Sequence, residues 1–206
     1  MNKVEKWLLV IGSVTSRLSR IKRAPRYPDR LHETDVEHSY HLALSSVELA
    51  TLMYPELDIG LVAQFSLVHD LPEIYAGDVR TFNASDDDLR KKRAAEAEAT
   101  EKLLKELPPY LAGLLERYEK QVEPEARLVR LVDKFMPAVV NLGSGSASTM
   151  LEDYDINTMG QLREKRVEHA IRLKEMIPEF QDVHKLMGQI WESENEYLFN
   201  QKNKKK

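Results

Sequence analysis

Apolar residues recur at three- and four-residue spacing along nearly the whole chain, and a period-two strand pattern is absent. Val4, Trp7, Leu8, Ile11, Val14 and Leu18 predict a first helix over residues 3–20. The segment APRYPDRLHE (24–33) has two prolines and no period, so a loop is expected there. Thr34-Asp35-Val36-Glu37 matches a capping box, in which the Thr hydroxyl accepts an N–H and the Glu reaches back to the cap. A second helix should start there and run to about Met53, where Tyr54-Pro55 ends it. Asp58 can cap a third, over about 59–76. Pro72 lies inside that helix and predicts a kink or break near His69-Asp70, and Gly77 is a natural stop.

Asp86-Asp87-Asp88 open a charged helix to about Leu107, since acidic residues suit the positive end of a helix dipole. Pro108-Pro109 open a shorter segment to about Tyr118, and Pro124 starts an apolar helix over 126–142. Pro137 removes the hydrogen bond to the Asp133 carbonyl, so this helix should bend at that residue. GSGSAS (143–148) reads as a flexible loop, followed by helices at about 157–177 and 179–200 and a frayed, disordered tail over 201–206. The fold class expected is all-α, a single domain over 1–206 with no internal repeat.

The ionisable residues inside these apolar segments carry the chemical signal, because burying a charge costs several kcal/mol unless it is paired or metal-bound. His38 lies in the first turn of its helix. His69-Asp70 follow the apolar run Phe65-Ser66-Leu67-Val68, and Asp133 sits in LVRLVDKF. Each has an ordinary reading: a partly buried histidine, a helix-breaking cap, a pair with Arg130 or Lys134. Together, two imidazoles and two carboxylates suit one divalent transition metal, Mn, Co, Fe, Ni or Zn. Glu73 lies on the same side of a helical turn as His69 and Asp70 and can serve as general base and acid. Upstream, residues 17–30 carry Arg17, Arg20, Lys22, Arg23, Arg26 and Arg30, of which Arg23 can clamp a phosphate bidentately and Arg20 is a further candidate contact. Lys91, Lys92 and Arg93 read as a charged helix face. His41, one turn after His38, fits either support of a ligand or core packing, and His32, His169 and His184 give no signal.

Glu37-His38-Ser39, His69-Asp70-x-x-Glu73, Gly77-Asp78 and the run Glu125 to Val129 leading to Asp133-Lys134 resemble the HD-domain phosphohydrolase superfamily, most closely its YfbR-like 5′-deoxynucleotidases. The resemblance covers roughly residues 5–145. It implies an HD-domain helical bundle with its metal on His38, His69, Asp70 and Asp133. It also implies Glu73 as the acid/base near the attacking water and Asp78 near the sugar. Where these nucleotidases carry an Arg-Trp pair against phosphate and sugar, this chain has Arg23-Ala24, which bears on the choice of a deoxy sugar. The activity implied is release of phosphate from (deoxy)nucleoside 5′-monophosphates. A deoxynucleoside triphosphate triphosphohydrolase of the same superfamily is the alternative, and a non-catalytic nucleotide-binding regulator ranks below it. The relatives' usual state implies a homodimer.

Composition narrows the rest. No cysteine is present, which removes disulfides, zinc–thiolate sites and thiol nucleophiles, and suits a cytoplasmic protein. The first 23 residues lack the long apolar region of a secretory signal, and no stretch approaches the roughly 20 apolar residues of a membrane span. A net charge of −4 argues mildly against general nucleic-acid binding, and the resemblance implies a small-molecule nucleotide as the partner.

Overall fold

The structure, a computed structural model, describes residues 1–29, 31–78, 85–145 and 156–204. Arg30 and residues 146–148 of the expected flexible loop lie outside the described residues. Helix α1 (Lys3–Leu18) starts at a capping box: Asn2 Oδ1 accepts from the Glu5 N–H, and Glu5 Oε2 accepts from the Asn2 N–H, both at 2.8 Å. Helix α2 (Asp35–Met53) starts at the box expected from Thr34 and Glu37. Helix α3 (Ile59–Val68) is capped by Asp58, whose carboxylate accepts the Leu61 N–H at 3.0 Å.

The expected break falls where Pro72 requires it. The chain leaves α3 at Val68, passes through a turn, and resumes as the four-residue α4 (Glu73–Ala76). The turn is closed by three-residue bonds, Leu71 N–H to the Val68 carbonyl at 3.2 Å and Glu73 N–H to the Asp70 carbonyl at 2.9 Å. Pro72 has no N–H to continue the ladder. Gly77 then takes φ of 73°, a left-handed value that a glycine adopts without strain.

Helices α5 (Asp86–Leu104), α6 (Pro109–Lys120), α7 (Pro124–Asp133), α8 (Met136–Ser144), α9 (Met159–Met176) and α10 (Gln181–Lys204) complete the helical inventory of the described residues. Three expectations are corrected. The segment 24–33 is not a loop throughout: β1 (Lys22–Arg26) and β2 (His32–Thr34) form a two-stranded ribbon. It is closed by the Tyr27 N–H donating to the Leu31 carbonyl at 2.9 Å. Two strands need no alternating pattern, and Pro25 is tolerated where one strand edge has no partner. The helix over 126–142 does not merely bend but breaks after Asp133, and Pro137 sits in the first turn of α8, where an N–H is not required. The last helix runs on to Lys204, so backbone expected to be a frayed tail is helical, and residues 205–206 lie outside the described residues.

Chain contacts divide the protein into two compact units. The first comprises Met1–Arg23 and Thr34–Val129. In it α2 packs on α3, α3 on α6, α4 on α5 and α1 on α4, around Leu42, Val62, Phe65, Leu103 and Leu115. Each such large apolar side chain contributes about 1.5–3 kcal/mol through burial. The second comprises Ala24–Glu33 and Arg130–Lys206. There α10 packs on α8 and α9 around Leu162, Ile177, Val183 and Met187. This second core also holds an ionic network. Arg166 donates to Glu194, to Asn195 Oδ1 at 2.6 Å and to the Trp191 carbonyl, and Asn141 donates to Glu194 at 2.7 Å. All four of Arg166, Glu194, Asn195 and Asn141 are buried, and each polar side chain meets a partner in the network.

Candidate metal centre

His69 and Asp70 follow α3 directly, in the turn closed by three-residue bonds. The imidazole Nε2 of His69 lies 2.9 Å from Asp70 Oδ2. His38, in the first turn of α2, brings its Nε2 to 3.7 Å from the same oxygen, and the two imidazole rings stand 5.2 Å apart. All of this lies within the first unit.

The donor chemistry fits a divalent ion. His69 Nδ1 lies 2.9 Å from the Ser66 carbonyl oxygen, which can only accept, so Nδ1 carries the hydrogen and Nε2 presents its lone pair to Asp70 in the neutral ring. In the neutral ring that lone pair faces a carboxylate oxygen, a contact that either a proton on Nε2 or a bound cation makes favourable. Donors about 2.0–2.2 Å from one ion stand about 2.8–3.6 Å from one another at octahedral or tetrahedral angles, and the spacings of 2.9 and 3.7 Å lie in or close to that range. The Ser66 bond also fixes the ring's orientation, as a ligating histidine needs.

Around this point stand three carboxylates, Asp35, Asp70 and Glu73, each offering an oxygen within 4.8 Å of the others. Arg23, on β1, lies among them: its Nη1 is 2.7 Å from Asp70 Oδ2, 3.3 Å from Asp35 Oδ1 and 4.0 Å from Glu73 Oε2. Glu73 is buried, and burial, then the charges of Asp70 and Asp35, push its carboxyl up to about 11 despite Arg23. Asp35 is fully buried and rises to about 6, from burial and the Asp70 charge. For Asp70 burial acts upward, but the charges of His69 and Arg23 and the contact with His69 outweigh it and hold the group well below the ordinary carboxylate range. The cluster therefore contains one carboxylate kept ionised beside one carboxyl kept protonated, three residues apart.

The remaining predicted residues divide. Asp78 is half-buried just past α4, and its charge contributes to raising both Glu73 and Asp35. Arg20 is exposed on the turn after α1, outside the cluster. His41 is half-buried one turn beyond His38. Asp133 is buried at the end of α7, in the second unit, with Lys134 Nζ at 2.6 Å from its Oδ2. Sequence reasoning missed two residues. Asp35, read only as part of a helix start, is a fully buried member of the carboxylate group; its signal was an acidic residue three positions before a candidate ligand. Lys92 was assigned to a charged face with its neighbours. Lys91 and Arg93 are indeed exposed, but the Lys92 side chain is only 15% exposed, paired with Glu96 at 3.1 Å and within the field of Glu73 and Asp78.

A family model described as the HD domain matches residues 15–176. The chain belongs to the HD-domain family. No curated protein matches it. Among solved structures, a predicted metal-dependent phosphohydrolase from Magnetospirillum magnetotacticum MS-1 is similar, with TM-score 0.70 and 23% identity over 94% of this chain and 98% of that one. The PH0347 protein from Pyrococcus horikoshii OT3 aligns with TM-score 0.57 and 24% identity, covering 91% and 99%. A conserved hypothetical protein from Pyrococcus furiosus aligns with TM-score 0.53 and 21% identity, covering 89% and 98%. At these identities the likeness is one of fold, and it extends over nearly the whole of each chain. No helix among the described residues is long and apolar enough to cross a membrane.

Proposed function

We propose that this HD-domain protein is a metal-dependent phosphohydrolase that releases phosphate from (deoxy)nucleoside 5′-monophosphates. The observation that carries it is the meeting of His38 Nε2 and His69 Nε2 on one oxygen of Asp70, with a buried carboxyl oxygen of Glu73 within 4.8 Å of an Asp70 oxygen. The name of the Magnetospirillum neighbour, a predicted metal-dependent phosphohydrolase, supports the coarser part of that reading, metal-dependent phosphate-ester hydrolysis. A divalent transition metal held by His38, His69 and Asp70, with Asp133 as the fourth ligand expected of the family, would supply Lewis acidity toward a phosphoryl oxygen and toward water.

The chain's own groups account for the rest. Arg23 presents a planar fork of donors suited to two oxygens of a phosphate. Lys92 adds a second, largely buried cation on the Glu73 side of the site. Glu73 holds a proton at its carboxyl, available to a leaving 5′-oxygen. Added positive charge at the site draws its pKa down toward the range where one group can take a proton from water and return it. Asp78 is assigned to a sugar hydroxyl. Lys91 is exposed and lies 2.6 Å from Asp87, and Arg93 is exposed, so one cation of the trio rather than three adjoins Glu73. That favours a single phosphate over a triphosphate.

The test is an assay of metal-reconstituted protein against ribo- and deoxynucleoside mono- and triphosphates, with identification of the product. Inorganic phosphate from monophosphates is expected. Triphosphate as sole product would replace this reading with the triphosphohydrolase one. Binding of metal and nucleotide without turnover of any phosphate would make the protein a nucleotide-binding regulator.

A further inference from the structure

Helix α4 presents Glu73 and is only four residues long. An isolated helix of that length has no stability of its own, because forming the first turn fixes many dihedrals for one hydrogen bond. Something outside it must fix its place. Residues two apart on a helix point to opposite sides, so while Glu73 enters the carboxylate cluster, Tyr75 leaves the other side of α4. Its surroundings are unusually specific. The Tyr75 hydroxyl accepts from Arg17 Nη1 at 2.8 Å and donates to Glu106 Oε1, and Arg17 Nη2 donates to Glu106 Oε2 at 2.7 Å. The ring has Lys102 Nζ at 3.8 Å from its centroid and the Arg17 guanidinium carbon at 5.2 Å. The hydrogen bond from Tyr75 and the Arg17 charge hold the Glu106 carboxyl below its ordinary range, and Glu106 in turn raises Arg17. Arg17 belongs to α1, Lys102 to α5, and Glu106 follows α5 by two residues. The short helix is gripped from behind by the two elements that pack against it.

We propose that Tyr75 is a positioning residue: Arg17 and Glu106 hold its hydroxyl, and through it fix the helix that presents Glu73. The proposal rests on the phosphohydrolase reading for the consequence of misplacing Glu73, but not for the anchoring itself. A proton-transfer group must lie within hydrogen-bond reach of its partner, and displacement by about 1 Å costs as much as 100-fold in rate. Loss of the grip therefore lowers the rate of the chemical step rather than substrate or metal binding.

Tyr75→Phe keeps the ring on Lys102 and removes only the hydroxyl. Two readouts apply to the metal-loaded full-length protein. In hydrogen–deuterium exchange, the amides of residues 73–77 should exchange about tenfold faster, the order expected for one lost hydrogen bond, with α2 and α3 unchanged. In steady-state hydrolysis of a nucleoside monophosphate, kcat should fall about tenfold on the same basis, with KM and bound metal unchanged. Glu106→Ala should reproduce both effects, and Glu106→Gln, which keeps an acceptor, should restore most of each. Unchanged exchange at 73–77 overturns the anchoring, and faster exchange with unchanged kcat overturns the positioning. Should Tyr75→Phe lose its helical circular dichroism signal, Glu106→Ala, at a side chain 35% exposed, decides in its place. Absence of turnover in the unmutated protein defeats the phosphohydrolase reading instead, and exchange at residues 73–77 then decides the anchoring alone.

Discussion

Arg23 holds Asp70 in a 2.7 Å ion pair, through the same oxygen that faces both imidazoles. The guanidinium thus competes electrostatically with any cation arriving at that oxygen, and is itself the group best shaped for phosphate. Arg23→Ala should tighten binding of a divalent metal, read by titration calorimetry, because a nearby like charge is removed. It should also raise KM for a nucleoside monophosphate by about tenfold or more, the loss of one charge-assisted contact. Arg23→Lys should recover only part of that, since an ammonium cannot make the two-pronged contact.

Removal of a ligand should be felt in metal content before anything else. His69→Ala and Asp70→Ala are expected to lose the bound metal, measured by elemental analysis after dialysis, and with it all turnover. The helical circular dichroism signal should remain, because both residues sit at a helix end rather than in the apolar core. Ser66 is a milder test: its contribution to the site is the backbone carbonyl that fixes His69, so Ser66→Ala should leave metal content unchanged.

The carboxylates predict a pH dependence of stability in the metal-stripped protein. Glu73 has a folded-state value of about 11 against an ordinary 4.5, so the folded protein keeps a proton that the unfolded chain releases. The stability associated with that proton is complete below about pH 4.5 and is lost progressively as pH rises toward 11. Asp35 acts in the same sense between 3.8 and about 6. Asp70 acts oppositely: its contribution is present above the ordinary carboxylate value and is lost as pH falls below it. Glu73→Gln should therefore raise Tm at pH 8, where about 2–4 °C corresponds to 1 kcal/mol in a chain of this size. At pH 4, where Glu73 is protonated in both states, the substitution should be nearly neutral. An equal gain at both pH values would disprove the assignment.

In the second unit, Arg166 and Glu194 form an ion pair with side-chain exposures of 5% and 1%. Arg166→Met leaves a buried carboxylate without its partner and should cost about 3–5 kcal/mol in denaturant unfolding. Combining it with Glu194→Leu should recover a large part of the loss. Additive losses in the double variant would mean that the two residues do not act as a pair.

The candidate ligands of the first unit stood out in the sequence because an ionisable residue inside an apolar, helix-periodic run contradicts its surroundings, as His69 and Asp70 do after Phe65 and Val68. The break at Pro72 was legible for a covalent reason, the missing N–H. Asp35 was not, because an acidic residue in the first turn is ordinary helix chemistry, and only tertiary packing buries it. Lys92 was hidden for a similar reason: Lys91, Lys92 and Arg93 look alike in sequence, and the packing of α5 on α4 alone singles out one of them. The ribbon over 22–34 escaped because two strands tied by backbone bonds need no side-chain periodicity. The clamp on Tyr75 joins residues 17, 75 and 106, and nothing local connects them.

The interrupted ladder after Val68 has a practical consequence for anyone grafting this site onto another helical scaffold. The portable unit is not a helix bearing two candidate ligands but a helix that ends just before them, with a carbonyl one turn back to hold the first imidazole and a proline two residues on to keep the ladder from closing. Replacing Pro72 with a strong helix former would invite α3 and α4 to fuse, and fusion would move Glu73, which follows the break, relative to His69 and Asp70, which precede it. Helix propensity, ordinarily a gain for stability, is here the property that the site must be protected from.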